Sequence, residues 1–214
     1  MGKYKKGILG AFSGKVGTVV GSSWKGIDYM RSLPRPSTKA PTDPQLIQRA
    51  KFGLVTGFFR PVSELLNLGF RSLANGKSGY NVATSDFIAS AITGIYPDLE
   101  IDYTRVLFSK GTLTGAYGVT SLSDSPGTVK VSWTDNSGSG TAKASDKMVI
   151  VVYNPLKGQF VYNINSGALR SAGTDALAVP AEFTGDTVEV WMAFMTADQK
   201  VFSTSVHAGQ VLVS

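Results

Sequence analysis

The chain is predicted to fold as an α+β protein, with an N-terminal Gly-rich β arm and two to three helices followed by a C-terminal antiparallel β-sandwich. Three features of its 214 residues carry that prediction. Six glycines fall between Gly7 and Gly26 among lysines, valines and a tryptophan, a texture that permits short strands but lends them little stability of their own. Apolar residues then recur at helical spacing over 44–93. From 105 onward short β-branched and aromatic runs alternate with turn clusters, as in an all-β sandwich. The expected divisions are an arm and connector at 1–43, a helical region at 44–104 and a sandwich at 105–214.

In the arm, two short strands are expected at 16–20 and 27–33 around the turn Gly21-Ser22-Ser23. Pro34, Pro36, Pro41 and Pro44 then hold the connector extended, because each proline fixes its own φ and biases its predecessor away from the helical region. Asp43 stands where an N-cap belongs and Pro44 at the first helical position. Leu46, Ile47, Ala50, Phe52, Leu54 and Val55 give that helix an apolar stripe, and Pro61 breaks it. A second helix at 61–74 carries Val62, Leu65, Leu66, Leu68, Phe70 and Leu73 and stops at Asn75-Gly76. A third, at 84–93, begins at Thr84 or Ser85, buries Phe87, Ile88, Ala91 and Ile92, and ends before Gly94 and Pro97.

The β-rich runs fall at 105–109, 113–119, 129–134, 148–153, 160–163, 176–179, 187–196 and 201–206. The stretches VKVSWTDNSG (129–138), KMVIVVYN (147–154) and FTGDTVEVWMAFMTADQKVFSTSV (183–206) resemble strands B, C, F and G of an Ig- or fibronectin III-like sandwich, with Trp133 at the strand-B tryptophan. The chain departs from that pattern at Val188, where the family carries the tyrosine of its tyrosine corner. Over nearly its full length the chain also resembles a family of Bacteroidota proteins classed as a domain of unknown function. The resemblance rests on GILGAFSGKVGTVVGSSWKGIDYMRS, PTDPQLIQRAKF and SWTDNSGSGTAKASDKMVIVVYN. It implies no activity.

Strand alternation predicts which faces need covering. Val129, Val131 and Trp133 alternate with Lys130 and Ser132, so that strand has one wet face. The run 148–153 has no polar face. With Val188, Val190, Met192 and Phe194 pointing inward, Glu189, Trp191, Ala193 and Met195 share the outer surface. An apolar outer face of that size requires a cover, either the helices of 44–93 or a neighbouring subunit.

Most chemistries are excluded by residue type. There is no cysteine, which removes disulfides, thiolate metal sites and cysteine nucleophiles together. Gly10-Ala-Phe-Ser-Gly14-Lys15 has three residues before Gly-Lys where a phosphate loop needs four, and Val16 follows where it needs a hydroxyl. The single histidine, His207, lies at the end of the last predicted strand without a nucleophile elbow to serve. Asp98, Glu100 and Asp102 alternate along a possible strand and read as an acidic face or a counter-charge to the basic N-terminus. Asp135-Asn136-Ser137-Gly138 is turn chemistry at a loop tip. No catalytic residue, cofactor or metal site is expected, and no apolar run reaches the length of a membrane span. The N-terminal apolar run is too short for a secretory leader, so synthesis in the cytoplasm is expected.

Charge is distributed unevenly. Residues 1–80 hold thirteen Lys/Arg against Asp28, Asp43 and Glu64, whereas the net charge of the whole chain is only +6. The expected function is that of a non-enzymatic structural protein that self-associates through its arm and an apolar sheet face, in a virion or other particle. The expected assembly contacts are Val16, Val19, Val20, Trp24, Tyr29, Trp191 and Met195. The first alternative is a sandwich module that binds a glycan or protein through loops near 135–139 and 165–167. The second is a nucleic-acid-binding protein using Lys3, Lys5, Lys6, Lys15, Lys25 and Arg31, which are interleaved with aromatic rings. The expected partners are further copies of the chain, with nucleic acid or an acidic protein surface for the basic segment, and no membrane.

Overall fold

The computed structural model describes residues 3–4, 10–24, 26–36, 38–164 and 167–214. The chain divides into two units, Met1–Thr42 and Asp43–Ser214. The first contains four strands, β1 (Lys3–Tyr4), β2 (Phe12–Val16), β3 (Val19–Trp24) and β4 (Ile27–Ser32), paired in that order. Four strands thus replace the two expected, and the turns move. Val16 pairs with Val19 and Trp24 with Ile27, leaving two-residue connections. Gly17 at φ +58° and Gly26 at φ +81° supply the left-handed backbone that such tight hairpins demand. Gly21-Ser22-Ser23, expected as the turn, runs inside β3. Glycine is needed there for close approach, since a Cβ on Gly21 would lie 2.0 Å from the carbonyl oxygen of Phe12.

The second unit begins with α1 (Asp43–Phe59), α2 (Ser63–Gly69) and α3 (Gly79–Ser90). Pro61 sits in a short 3-10 turn, Arg60–Val62, that separates α1 from α2 as its missing N–H dictates. The buried face of α1 is formed by Val55, Phe58 and Phe59, while Phe52, expected on the apolar stripe, is exposed. α3 starts at Gly79 and not at 84, because the Ser78 hydroxyl accepts the Asn81 N–H and caps the helix. Ile92, expected at the end of α3, instead opens the hairpin β5 (Ile92–Ile95) and β6 (Asp98–Ile101), where Gly94 takes φ +82°.

Seven further strands make two sheets. They are β7 (Tyr117–Ser125), β8 (Thr128–Thr134), β9 (Lys147–Asn154), β10 (Gln159–Asn163), β11 (Thr174–Ala178), β12 (Thr187–Met195) and β13 (Val206–Leu212). A three-stranded sheet, β11-β8-β7, opposes a four-stranded one, β10-β9-β12-β13, and every pairing is antiparallel. Three expected runs shift. Residues 105–109 make no strand, since Asp102 caps a 3-10 turn at Tyr103–Arg105. In the run 113–119, Leu113 makes only an isolated bridge to Ser203, and β7 starts at Tyr117. The last strand is 206–212 in place of 201–206. The hydroxyl of Ser203 accepts the Phe194 N–H and that of Ser205 the Phe108 N–H, so Phe202 and Ser203 keep only isolated bridges, to Met195 and Leu113, before the continuous strand begins at Val206.

The four-stranded sheet is buried on both sides. Towards the other sheet point Met148, Ile150 and Val152 of β9 with Val188, Val190, Met192 and Phe194 of β12, which meet Val129, Val131 and Trp133. Towards the helices point Val149, Val151, Trp191 and Met195, which pack with Phe59, Leu65, Leu66, Phe70, Phe87 and Phe108. Helical region and sandwich therefore form one three-layered body, where the sequence suggested two divisions. α2 has seven residues, too few to hold as a free helix. Full burial of Leu65 and Leu66, at about 1.5–3 kcal/mol each, supplies what its length lacks.

Candidate functional site

The most elaborate polar centre lies inside the sandwich. The Arg170 side chain has no exposed surface, and Asp146 beside it is 1% exposed. Its Nε donates to Asp146 Oδ2 at 3.1 Å, Nη1 to Asn136 Oδ1 at 2.6 Å, and Nη2 to the Thr114 carbonyl at 2.9 Å. The guanidinium carbon stands 3.7 Å from the centre of the Phe194 ring. Burial pulls the Arg170 pKa below its ordinary value, and Asp146 opposes that pull. Trp133 Nε1 donates to the Arg170 carbonyl at 2.8 Å, which ties the strand-B tryptophan to the same centre. Among the described residues no buried side-chain nitrogen or oxygen lacks a hydrogen-bond partner, so the centre is a structural clasp. Nothing in the spacing of ALRSAGT announces it.

Asn136 is thereby turned inward. The loop expected to present Asp135-Asn136-Ser137-Gly138 as a free tip is anchored through Arg170 and through the Asn136 amide on the Gly115 carbonyl. Asp135 closes the turn on Ser137, whose hydroxyl and N–H hold its carboxyl below the usual range. In the other expected recognition loop, Asn165 and Ser166 lie outside the described residues. A Cβ on Gly167 would come within 1.8 Å of the Met148 carbonyl oxygen, so this end of that loop lies tight on β9.

On the helix side of the four-stranded sheet, Trp191 and Met195 are completely buried. Trp191 Nε1 donates to the Tyr103 carbonyl at 3.2 Å, and its ring meets Phe108 edge-on at 5.0 Å. Neither residue is open to a second chain, which corrects their expected role as assembly contacts. The cover is internal, made by the protein's own helices and the segment around Phe108. At the margin of this layer His207 Nε2 lies 2.7 Å from Glu189 Oε2, and Gln210 donates to Glu189 Oε1 at 2.8 Å. Glu189 is 3% exposed, so the pair seals a polar row between β12 and β13 and does not offer a base to solvent. Burial, together with Tyr153 and Glu189, pushes the Tyr103 hydroxyl up to about 12. The sequence showed His207 without a partner, since only the β12–β13 register brings Glu189 beside it.

A cleft of 590 Å³ opens between α1, the β5–β6 hairpin and the β9–β10 edge, lined by Gly53, Gly57, Leu99, Tyr153 and Phe160 among others. Its walls are largely apolar and carry no cluster of titratable groups. Asp98 and Glu100 lie on β6, but Asp102 leaves the strand to bond Thr104 and Arg105. Among the described residues no three acidic or histidine side chains are grouped to hold a metal.

The remaining expected contacts belong to the N-terminal unit, and strand register sorts them. Lys15, Val20 and Arg31 form one row across β2, β3 and β4, followed by Ser22 with Tyr29 and Trp24 with Ile27. Because side chains alternate along each strand, these residues share one face, and Val16, Val19, Met30 and Asp28 lie on the other. The expected assembly set is therefore split, with Val16 and Val19 opposite Val20, Trp24 and Tyr29. Lys3, Lys15 and Arg31 are exposed, while Lys5, Lys6 and Lys25 lie outside the described residues. Residues 1–42 carry eight Lys/Arg against one acid, Asp28, so the basic character of the chain resides in this unit.

Residues 11–209 match a family of unknown function, DUF6266, and the chain belongs to it. No curated protein matches the chain. Among solved structures it is similar to the fn3 domain of human collagen alpha-1(XX) chain at 17% identity and a TM-score of 0.33, covering 50% of this chain and 93% of that one.

Proposed function

We propose that this family member is a non-enzymatic structural protein that self-associates through its N-terminal unit, as a component made in the cytoplasm and built into a virion or similar particle. The observation that carries this reading is a sheet without a core. In β2, β3 and β4 the only buried residue is Gly21, while Val16, Val19 and Met30 stand 44%, 36% and 70% exposed on one face. Strands of this length gain stability when such a face is covered, and a second copy of the chain is the cover proposed. The absence of cysteine and the engagement of the one histidine with a buried carboxylate support a non-enzymatic role. The internal anchoring of Asn136 argues against the ligand-binding-module alternative.

The test is substitution on that face in the full chain. Val16→Ser, Val19→Ser and Met30→Ser together are expected to convert a self-associated protein to monomer, with the circular dichroism and denaturation profile of the Asp43–Ser214 unit preserved. A triple variant that associates as the parent does contradicts the reading.

A further inference from the structure

We propose that the opposite face of the N-terminal sheet binds single-stranded nucleic acid, with Tyr29 and Trp24 as stacking platforms and Lys15 and Arg31 as phosphate contacts. The inference starts from the register. Arg31 and Tyr29 are alternate residues of β4 and so project on the same side about 7 Å apart along the strand. Lys15 reaches the same face from β2, in the row Lys15–Val20–Arg31. Trp24 is 62% exposed and Tyr29 44% exposed.

The chemistry of this face is one-signed. Asp28, the only acid of the unit, projects from the other side of β4, so the unit itself places no acid beside these cations on their face. A surface of cations alone attracts a polyanion and gains from counterion release. Flat rings in the rows next to the cations add base stacking, which duplex DNA, with its bases already stacked inside, does not use. Single-stranded nucleic acid satisfies both features together. The arrangement is sequence-tolerant, since it offers π-faces and positive charge but no row of paired donors and acceptors to read base edges. This site is separate from the proposed self-association face, and either can fail without the other.

The probe is a labelled oligothymidine of about 16 nucleotides, a length within the range of single-strand binding sites, titrated with the full-length protein at several salt concentrations. Binding is expected at low salt and falls as salt rises. Lys15→Ala and Arg31→Ala each weaken binding and reduce the slope of log K against log salt by about 0.7. Tyr29→Ala weakens binding about tenfold while leaving that slope unchanged, and Tyr29→Phe restores it. Because Tyr29 is on the surface, retention of the parent circular dichroism spectrum shows that the sheet is intact. The Val16→Ser, Val19→Ser, Met30→Ser protein should still bind the oligonucleotide if it remains folded. Absence of binding at low salt overturns the proposal. So does equal affinity for heparin and for oligothymidine with no effect of Tyr29→Ala, which would mark the face as a general polyanion surface.

Discussion

Replacing Arg170 by methionine keeps most of the side-chain volume and removes the charge and all of its donors. Asp146, 1% exposed, would retain the Lys143 N–H at 2.8 Å but lose its countercharge. The Thr114 carbonyl and Asn136 Oδ1 would lose donors now at 2.9 and 2.6 Å, and Phe194 would lose the guanidinium over its ring. Removing one member of a buried ion pair costs about 3–5 kcal/mol. Local relaxation around the two orphaned oxygens offsets part of their desolvation, so the expected loss for Arg170→Met is about 4 kcal/mol. For a unit of this size that lowers Tm by roughly 8–16 °C. Urea titration followed by tryptophan fluorescence reads it directly, since Trp133 bonds to the Arg170 carbonyl. The double variant Arg170→Met, Asp146→Leu should recover much of the loss, because it also removes the stranded carboxylate. A single variant that loses less than about 1 kcal/mol, or a double variant that loses the full sum of the singles, refutes the clasp as described.

Two further outcomes are expected. His207→Ala takes one of two partners from the buried Glu189 carboxylate and should cost about 2–3 kcal/mol in a urea titration, with His207→Gln restoring part of it; no change in midpoint would mean that the pair is not structural. Lys157 and Asn154 hold the Asp186 carboxyl below the usual carboxylate range. A carboxyl depressed in the folded state adds stability that is present above the unfolded value and lost as pH falls through the folded one, so Asp186→Asn should flatten the acid limb of stability below about pH 4 and lower stability at neutral pH.

Much of the sandwich was legible because each of its central strands carries a period-two pattern. Val129, Val131 and Trp133, and likewise Val188, Val190, Met192 and Phe194, point inward as alternation requires. The absence of a polar face in 148–153 correctly indicated a sheet covered on both sides, and Trp191 and Met195 are covered by the protein's own helices. What alternation cannot convey is where a strand stops when side chains compete for its backbone. Ser203 and Ser205 bond main-chain N–H groups and so displace the last strand to Val206–Leu212. Ser78 likewise begins α3 earlier than hydrophobic spacing suggested. In the N-terminal unit glycine was read as the turn at Gly21, yet the positive-φ glycines in the hairpin turns are Gly17 and Gly26, and a single-residue pattern does not tell a turn glycine from one that admits a neighbouring carbonyl. The faces of that sheet depend on pairings between strands, so the grouping of Lys15, Arg31 and Tyr29 was beyond any reading of one segment at a time. Arg170, Asp146 and Asn136 meet for the same reason, from positions 34 and 24 residues apart in sequence.

The central claim is that the chain assembles with copies of itself, and its mass in solution tests this most directly. One chain is 22.7 kDa. Light scattering across a size-exclusion peak, with electron microscopy of the same fraction, should give a multiple of that mass and particles of regular form. A mass of a single chain that persists as concentration is raised would contradict the account.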